Sequence, residues 1–194
     1  MGKMTNTEKL LKDIGNHNAF NPAEEASVEA FRFFIKKFGK DIWTRDNLTG
    51  HVCASAWVVN KDRTKVLMAY HNTFKSFAWL GGHADGNKNL AEVAEKEALE
   101  ETGLSQIKIL NGGKVLDVDT HECLAHVKRG KPVAAHLHFN LTYLFEADEN
   151  DAVAAKLDEN AAVKWIDNKD ILRIVTEEHM LPVYDRLLKK VERL

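Results

Sequence analysis

The spacing of hydrophobic positions predicts two helices near the start of the chain. The first covers residues 7–14. The second begins at Asn21, whose side chain can cap it, with proline at the next position and Glu24 completing a capping box. The hydrophobic stripe of the second helix consists of Val28, Phe31, Phe34, Ile35 and Phe38. We interpret residues 1–49 as a helical extension that packs on the rest of the chain, with dimerisation or control of substrate access as alternative roles.

Beyond residue 50 the pattern changes to short apolar runs and alternating positions, which are typical of β-strands. Residues 51–59 are apolar on both faces, as expected of a central strand, whereas residues 136–147 alternate between an apolar and a polar face. Further strands are predicted at 65–71, 77–80, 107–110, 114–121 and 163–166, a turn at 128–132, and helices at 90–102, 170–175 and 181–191. This order predicts a single α/β domain over residues 50–194, with helices on both sides of a mixed sheet.

The predicted helix at residues 90–102 carries glutamates where apolar residues would be expected. Glu97 and Glu101 fall inside its apolar stripe and Glu100 flanks them, at spacings that make the three side chains neighbours. Unpaired buried carboxylates are costly, so a divalent cation is the simplest explanation, and Mg²⁺ prefers such oxygen ligands. The alternative is a surface helix that is rich in acids, or glutamates that pair with basic residues.

This acidic helix follows a glycine turn, and the two together resemble the signature of the Nudix hydrolases. That signature reads glycine, five residues, glutamate, seven residues, arginine, glutamate, an apolar residue, any residue, two glutamates, any residue, glycine and an apolar residue. The matching residues are Gly82, Glu97, Ala98, Glu100, Glu101, Gly103 and Leu104. Two positions depart from it, because Lys88 replaces the first glutamate and Lys96 replaces the arginine.

The resemblance implies a Nudix-like α/β/α sandwich and a hydrolase that cleaves a nucleoside diphosphate linked to another group, with water attacking phosphorus. It also implies that the catalytic residues are Glu97, Glu100 and Glu101 and that they bind Mg²⁺ or Mn²⁺. A backbone carbonyl of Gly81 or Gly82 would add a metal ligand.

The two lysines leave a second function open. Lys96 keeps a positive charge but lacks the planar fork of arginine, and Lys88 reverses a charge. The alternative is therefore a Nudix-like domain that binds or senses a nucleotide with weak turnover. The general base is not identified by the pattern. Glu100, Glu122 and Glu146 are the candidates, and Glu122 or Glu146 could instead supply a fourth metal contact.

Four residues are candidates for substrate binding. His136 and His138 lie on one face of a predicted strand, where they could contact phosphates, serve as acid or base, or simply face solvent. His83 follows the glycine turn and could reach a phosphate. Trp79 precedes the turn and could stack on a base, although an aromatic residue there more often belongs to the core. The histidine pair lacks a third zinc ligand of evident spacing.

Composition narrows the class of partner. The 194 residues carry a net charge of -2, which gives no basic surplus for a nucleic-acid polymer or a membrane, and no stretch has the ~20 apolar residues of a membrane helix. Cys53 and Cys123 show no Cys-x-x-Cys spacing, so a zinc site is not expected, and Cys53 reads as a small buried hydrophobe. The N-terminus has no apolar run, so a signal peptide is not expected. We expect a cytoplasmic protein with a small nucleotide substrate, and a homodimer remains open.

Overall fold

Five α-helices and ten strands make up the part of the chain that the computed structural model describes, residues 4–128, 130–157 and 160–194. The helices are α1 (Asn6–Gly15), α2 (Pro22–Phe38), α3 (Leu90–Thr102), α4 (Asn168–Ile174) and α5 (Leu181–Val191). The strands are β1 (Gly50–Val59), β2 (Lys65–His71), β3 (Ser76–Ala78), β4 (Leu80–His83), β5 (Lys108–Ile109), β6 (Val115–Cys123), β7 (His126–Lys128), β8 (Lys131–Val133), β9 (His136–Glu146) and β10 (Asn160–Asp167). The helices and strands expected from the sequence are present, with ends that differ by a few residues.

Side-chain caps define where the two N-terminal helices begin. Thr5 and Glu8 form a reciprocal capping box at α1. At α2 the Asn21 side chain accepts the Glu24 N–H at 2.9 Å, as predicted. The expected capping box is not completed, because the Glu24 side chain does not bond to the backbone N–H of Asn21. Its carboxylate instead accepts the Phe20 N–H at 2.6 Å and points into the protein.

The mixed sheet is built around β1, all ten residues of which are buried. β1 pairs in parallel with β9 and antiparallel with β2 and β4. The longest path through the sheet is β10-β2-β1-β9-β5, with β3 paired to β2, β4 to β1 and β6 to β9. The prediction that residues 51–59 form a central strand is confirmed, because apolar side chains on both faces suit a strand covered on both sides.

Helices cover both faces of this sheet. On one face Phe34 of α2 stacks on Phe139 of β9, with ring centroids 4.0 Å apart, and α1 and α3 complete the layer. On the other face Trp57 of β1 packs against Tyr184 of α5, with centroids 5.6 Å apart, beside α4. The predicted α/β sandwich with a mixed sheet is therefore confirmed.

A hairpin occupies the segment that was predicted to be only a turn at 128–132. β7 and β8 pair antiparallel, with His126 opposite Val133. The turn prediction was incomplete because strands of three residues are too short to show an alternating pattern. The hairpin matters because it forms one side of the cavity described below.

A buried ion network joins the N-terminal helices to β6 and α5. Glu24 is fully buried and accepts hydrogen bonds from Lys190 Nζ at 2.5 Å and from the Val118 N–H at 3.1 Å. Lys190 also contacts Asp117 at 2.7 Å, and Arg186 holds the same aspartate with two hydrogen bonds of 2.8 and 2.7 Å. These contacts support the expectation that the extension packs on the domain, whereas a boundary at residues 49 and 50 stays a prediction.

None of the described helices combines the length and the hydrophobicity that a membrane-spanning helix needs.

Candidate functional site

Two glycines bring the backbone of β4 close to its neighbours. Gly81 pairs with Ser55 of β1, and a Cβ atom at Gly81 would lie 2.5 Å from the Ala54 carbonyl oxygen. A Cβ atom at Gly82 would lie 2.5 Å from Cδ of Glu97. Glycine is therefore required at both positions if β4 is to pair with β1 and the carboxylate of α3 is to approach it. The predicted glycine turn is wrong at these two residues, because both pair with β1 as part of a strand.

The three glutamates of α3 differ in their surroundings. Glu101 is 6% exposed, and its carboxylate accepts the Gly81 N–H at 3.1 Å and the Asn160 side-chain amide at 3.4 Å. Glu97 is half-buried beside Gly82. Glu100 is the exposed member of the three. All three line one cavity of about 960 Å³ together with Gly81 and Gly82. The helical spacing thus brings the three glutamates together, and the packing of α3 beside β4 places them near the two candidate backbone ligands, Gly81 and Gly82.

Glu100 has two lysines close to it. Lys96 Nζ lies 3.6 Å from one of its carboxylate oxygens and Lys156 Nζ lies 3.9 Å from the other. These are exposed contacts at the long end of ion pairing, so they leave the Glu100 side chain able to move.

Lys88, the other departure from the signature, lies away from these carboxylates. Its Nζ is 4.5 Å from the centroid of the Trp43 ring, and burial lowers its pKa. It lines a different cavity of about 900 Å³, next to α1. The charge reversal at this position therefore does not place a cation among the three glutamates.

The four residues expected to bind substrate line the same cavity as the glutamates. Nε2 of His138 lies 3.3 Å from Nε2 of His83 and 3.2 Å from Nε2 of His136. Trp79 packs edge-on against Tyr184, with centroids 5.5 Å apart, so it belongs partly to the core and partly to the cavity wall. The polar face of β9 is thus mostly covered, and its histidines do not simply face solvent.

His51 is a cavity residue that the sequence analysis did not single out. It is 4% exposed, and its ring centroid lies 4.7 Å from that of His83, 4.8 Å from His136 and 5.1 Å from His138. Burial, with a smaller effect of His136, lowers the pKa of His51 to about 4. Burial and the surrounding histidines also lower the pKa of His138. These two rings are therefore neutral at pH 7.

Further acidic residues reach the cavity from other elements. Glu122 lines it from β6, and Glu177 lines it from the segment before α5. Burial raises the pKa of Glu177, and His179 and His121 oppose that effect. Glu146 lies at the far end of β9 from His136 and pairs with Lys108 at 3.8 Å, so its suggested role as base or metal ligand is not supported. Only the fold reveals Glu177, because nothing in its local sequence marks it.

Comparison with known proteins identifies the domain. Residues 49–187 match the family model described as the NUDIX domain. A C. elegans Ap4A hydrolase in a binary complex is 19% identical, with a TM-score of 0.51 over 73% of this chain and 95% of that one. A NUDIX-family hydrolase from Clostridium perfringens is 24% identical, with a TM-score of 0.50 over 73% and 97% of the two chains.

The Nudix hydrolase RenU from M. smegmatis is 15% identical, with a TM-score of 0.54 over 75% of this chain and 88% of that one. At these identities the structures establish a shared fold. No curated protein matches the chain significantly.

Proposed function

Because the chain belongs to the Nudix family, whose hydrolases act on pyrophosphate bonds, we propose that it cleaves a nucleoside diphosphate linked to another group, with Mg²⁺ or Mn²⁺ as cofactor. The resemblance to the family and the expected enzyme class are thereby confirmed, whereas the substrate and the metal are our proposal. The observation that carries the proposal is the convergence of Glu97, Glu100 and Glu101 in one cavity beside the two glycines of β4.

The residues present fit a hard divalent cation. Every donor offered by Glu97, Glu100, Glu101 and the carbonyl of Gly82 is an oxygen, as Mg²⁺ and Mn²⁺ prefer. The absence of a side chain at Gly82 leaves the space that the Glu97 carboxylate enters. When bound, such a cation would offset charge on the diphosphate and lower the pKa of a coordinated water.

The surroundings of each glutamate suggest which of them is held in place and which can accept a proton. The Gly81 N–H and the Asn160 amide each hold one oxygen of Glu101, so that carboxylate is oriented before substrate arrives. Glu100 is exposed and only loosely paired, so it can turn towards a water and accept its proton. Glu177 is a second candidate base, because its pKa is raised by burial.

The opposite wall of the cavity suits the rest of the substrate. Trp79 offers an aromatic face for a base, and the imidazoles of His83, His136 and His138 can exchange hydrogen bonds with phosphate oxygens. The solved Ap4A hydrolase with the same fold makes dinucleoside polyphosphates one class to test.

A panel of diphosphate compounds tests this proposal. Nucleoside triphosphates, oxidised nucleotides, nucleotide sugars, dinucleoside polyphosphates and dinucleotide cofactors should be incubated with the protein and Mg²⁺ or Mn²⁺. Turnover should depend on the metal, and hydrolysis in ¹⁸O-water should place the label on a phosphate product, because water attacks phosphorus.

Variants of α3 locate the chemistry. Glu100→Gln should lower kcat by at least ~10²-fold with little change in nucleotide Kd, the low end for a positioned acid–base group. Glu92→Gln is the matched control, since Glu92 is an exposed acid on the same helix, and should leave kcat within about twofold. If Glu177→Gln alone produces the large loss, Glu177 is the base and our assignment of Glu100 is wrong.

The alternative function, a nucleotide-binding domain with weak turnover, rests on Lys96 and Lys88, which replace the arginine and glutamate of the family signature. Tight binding of one nucleotide without metal-dependent turnover of any compound in the panel would favour it and refute the hydrolase proposal.

A further inference from the structure

We propose that His51, Cys53, His83 and His138 form a second metal site, specific for a zinc-like transition metal and separate from the three glutamates. One ligand atom from each of these residues lies within 4.8 Å of the other three. The sequence predicted no zinc site, because its two cysteines lack a Cys-x-x-Cys spacing and its histidine pair lacks a third ligand of evident spacing.

The sheet holds these ligands on three adjacent strands. His51 and Cys53 project from the same face of β1. The parallel register places His51 opposite His138 of β9, and the antiparallel register places Cys53 opposite His83 of β4. Ligands on paired strands are positioned more rigidly than ligands on loops, as a site with fixed geometry requires.

The separation of two ring nitrogens agrees with tetrahedral coordination. Nε2 of His83 and Nε2 of His138 are 3.3 Å apart. In a tetrahedral site with zinc–nitrogen bonds of about 2.0–2.1 Å, two nitrogen ligands lie about 3.3–3.4 Å apart. The two nitrogens, which contact each other directly in this structure, are therefore spaced as two ligands of one ion would be.

His51 provides an independent reason to expect a ligand. Both of its ring nitrogens are buried, and among the described residues neither has a hydrogen-bond partner of standard geometry. Leaving a buried polar atom unsatisfied costs about 1–3 kcal/mol. A metal ion would take the lone pair of one nitrogen. The Asn47 backbone, whose weak hydrogen bond to the ring slightly opposes the lowering of the His51 pKa, would accept the N–H of the other nitrogen.

The chemistry of the ligands selects the metal. Three imidazoles and one thiolate suit Zn²⁺ and its neighbours, whereas the oxygens of Glu97, Glu100 and Glu101 suit Mg²⁺. The cavity would then hold two sites with different preferences, and four protein ligands would complete the coordination of the zinc-like ion. With that ion bound, His136 rather than His83 or His138 would be the histidine that contacts substrate phosphates. Such a closed site would be structural and would hold β1, β4 and β9 together at the wall of the cavity.

A second group, Cys123, His136 and His138, overlaps this one but is the weaker candidate. It offers three ligands rather than four. Cys123 is the last residue of β6, and its sulfur already lies 3.8 Å from Nδ1 of His126. Cys123 therefore provides a matched control for Cys53, since both are buried cysteines that line the same cavity.

Metal binding to the full-length protein tests the proposal without any activity assay. The protein is stripped with a chelator, reloaded with Zn²⁺ or Co²⁺, and analysed for bound metal and affinity by competition with a chromophoric chelator. The wild type should bind one Zn²⁺ per chain in the presence of excess Mg²⁺. The Co²⁺ form should show a sulfur-to-metal charge-transfer band, because one ligand is a thiolate.

Cys53→Ser should abolish that band and weaken Zn²⁺ binding at least ~100-fold, since loss of a direct ligand should exceed the 10–100-fold cost of an outer-shell change. Cys123→Ser should retain the band and change the affinity less than about threefold. His51→Gln should also lose Zn²⁺ and serves if Cys53→Ser does not fold. The proposal is overturned if the wild type binds no Zn²⁺, if only Cys123→Ser loses it, or if Glu97→Gln loses it equally.

Discussion

Replacing Glu24 should destabilise the whole protein rather than the N-terminal helices alone. This carboxylate is fully buried and joins α2 to β6 and to α5 through Val118 and Lys190. It also accepts hydrogen bonds from His17 Nε2 at 2.7 Å and from the Phe20 N–H at 2.6 Å. In Glu24→Gln the negative charge disappears, and one carboxylate oxygen is replaced by an amide that donates towards groups that also donate.

The expected loss is about 3 kcal/mol of unfolding free energy at pH 7. Removing one partner of a buried ion pair costs about 3–5 kcal/mol. The lower end applies because Lys190 keeps two other partners, Asp117 at 2.7 Å and the Leu116 carbonyl at 2.7 Å.

The loss should also depend on pH. Burial alone would raise the pKa of Glu24, but hydrogen bonds from His17, Lys190 and Phe20 outweigh it and hold the pKa well below its usual range. A carboxyl whose pKa is lower in the folded state stabilises fully above its unfolded pKa of about 4.3, and loses that stabilisation as the pH falls further. The difference between the wild type and Glu24→Gln should therefore shrink below about pH 4.

Urea unfolding followed by circular dichroism at pH 7 and at lower pH measures these effects, with an unchanged m-value as the sign that two-state unfolding is preserved. Glu25→Gln is the matched control, because Glu25 is the exposed neighbour on the same helix and should change stability by less than about 0.5 kcal/mol. The reasoning is refuted if the two variants lose the same stability, or if the loss at Glu24 is the same at pH 7 and pH 3.

Three further outcomes are expected. Gly82→Ala should weaken Mg²⁺ binding at least ~10-fold in a thermal-shift titration, because its Cβ would lie 2.5 Å from Cδ of Glu97. An unchanged affinity would contradict the assignment of Glu97 as a metal ligand. Lys88→Glu should change kcat/KM less than about twofold. It should lower the free energy of unfolding in urea by about 0.5–1 kcal/mol, because the contact with Trp43 is lost. A large effect on activity would mean that this residue reaches the substrate. Lys96→Arg should change stability by no more than about 0.5 kcal/mol, because its contact with a carboxylate is exposed; a larger change in unfolding would show a role that the ion pair does not explain.

Features that depend on neighbours in the sequence could be predicted from the sequence alone. The Asn21 cap, the position of β1 between two layers and the acidic helix α3 were expected from local patterns and are present. Glu101 is buried, as expected from its place in the apolar stripe, because the helical periodicity fixes which side chains share a face. Glu100, which was expected only to flank that stripe, is exposed. The spacing of these glutamates also identified the family.

The tertiary structure decided which distant residues meet. His51 and Cys53 read as ordinary strand residues until the register of β1 with β9 and β4 placed them beside His138 and His83. Glu24 read as a helix-capping residue, but the packing of α5 made it part of a buried ion network. A strand pattern specifies which side chains share a face, but strand pairing and helix packing join residues that are far apart in the chain, and only the complete set of contacts determines that register.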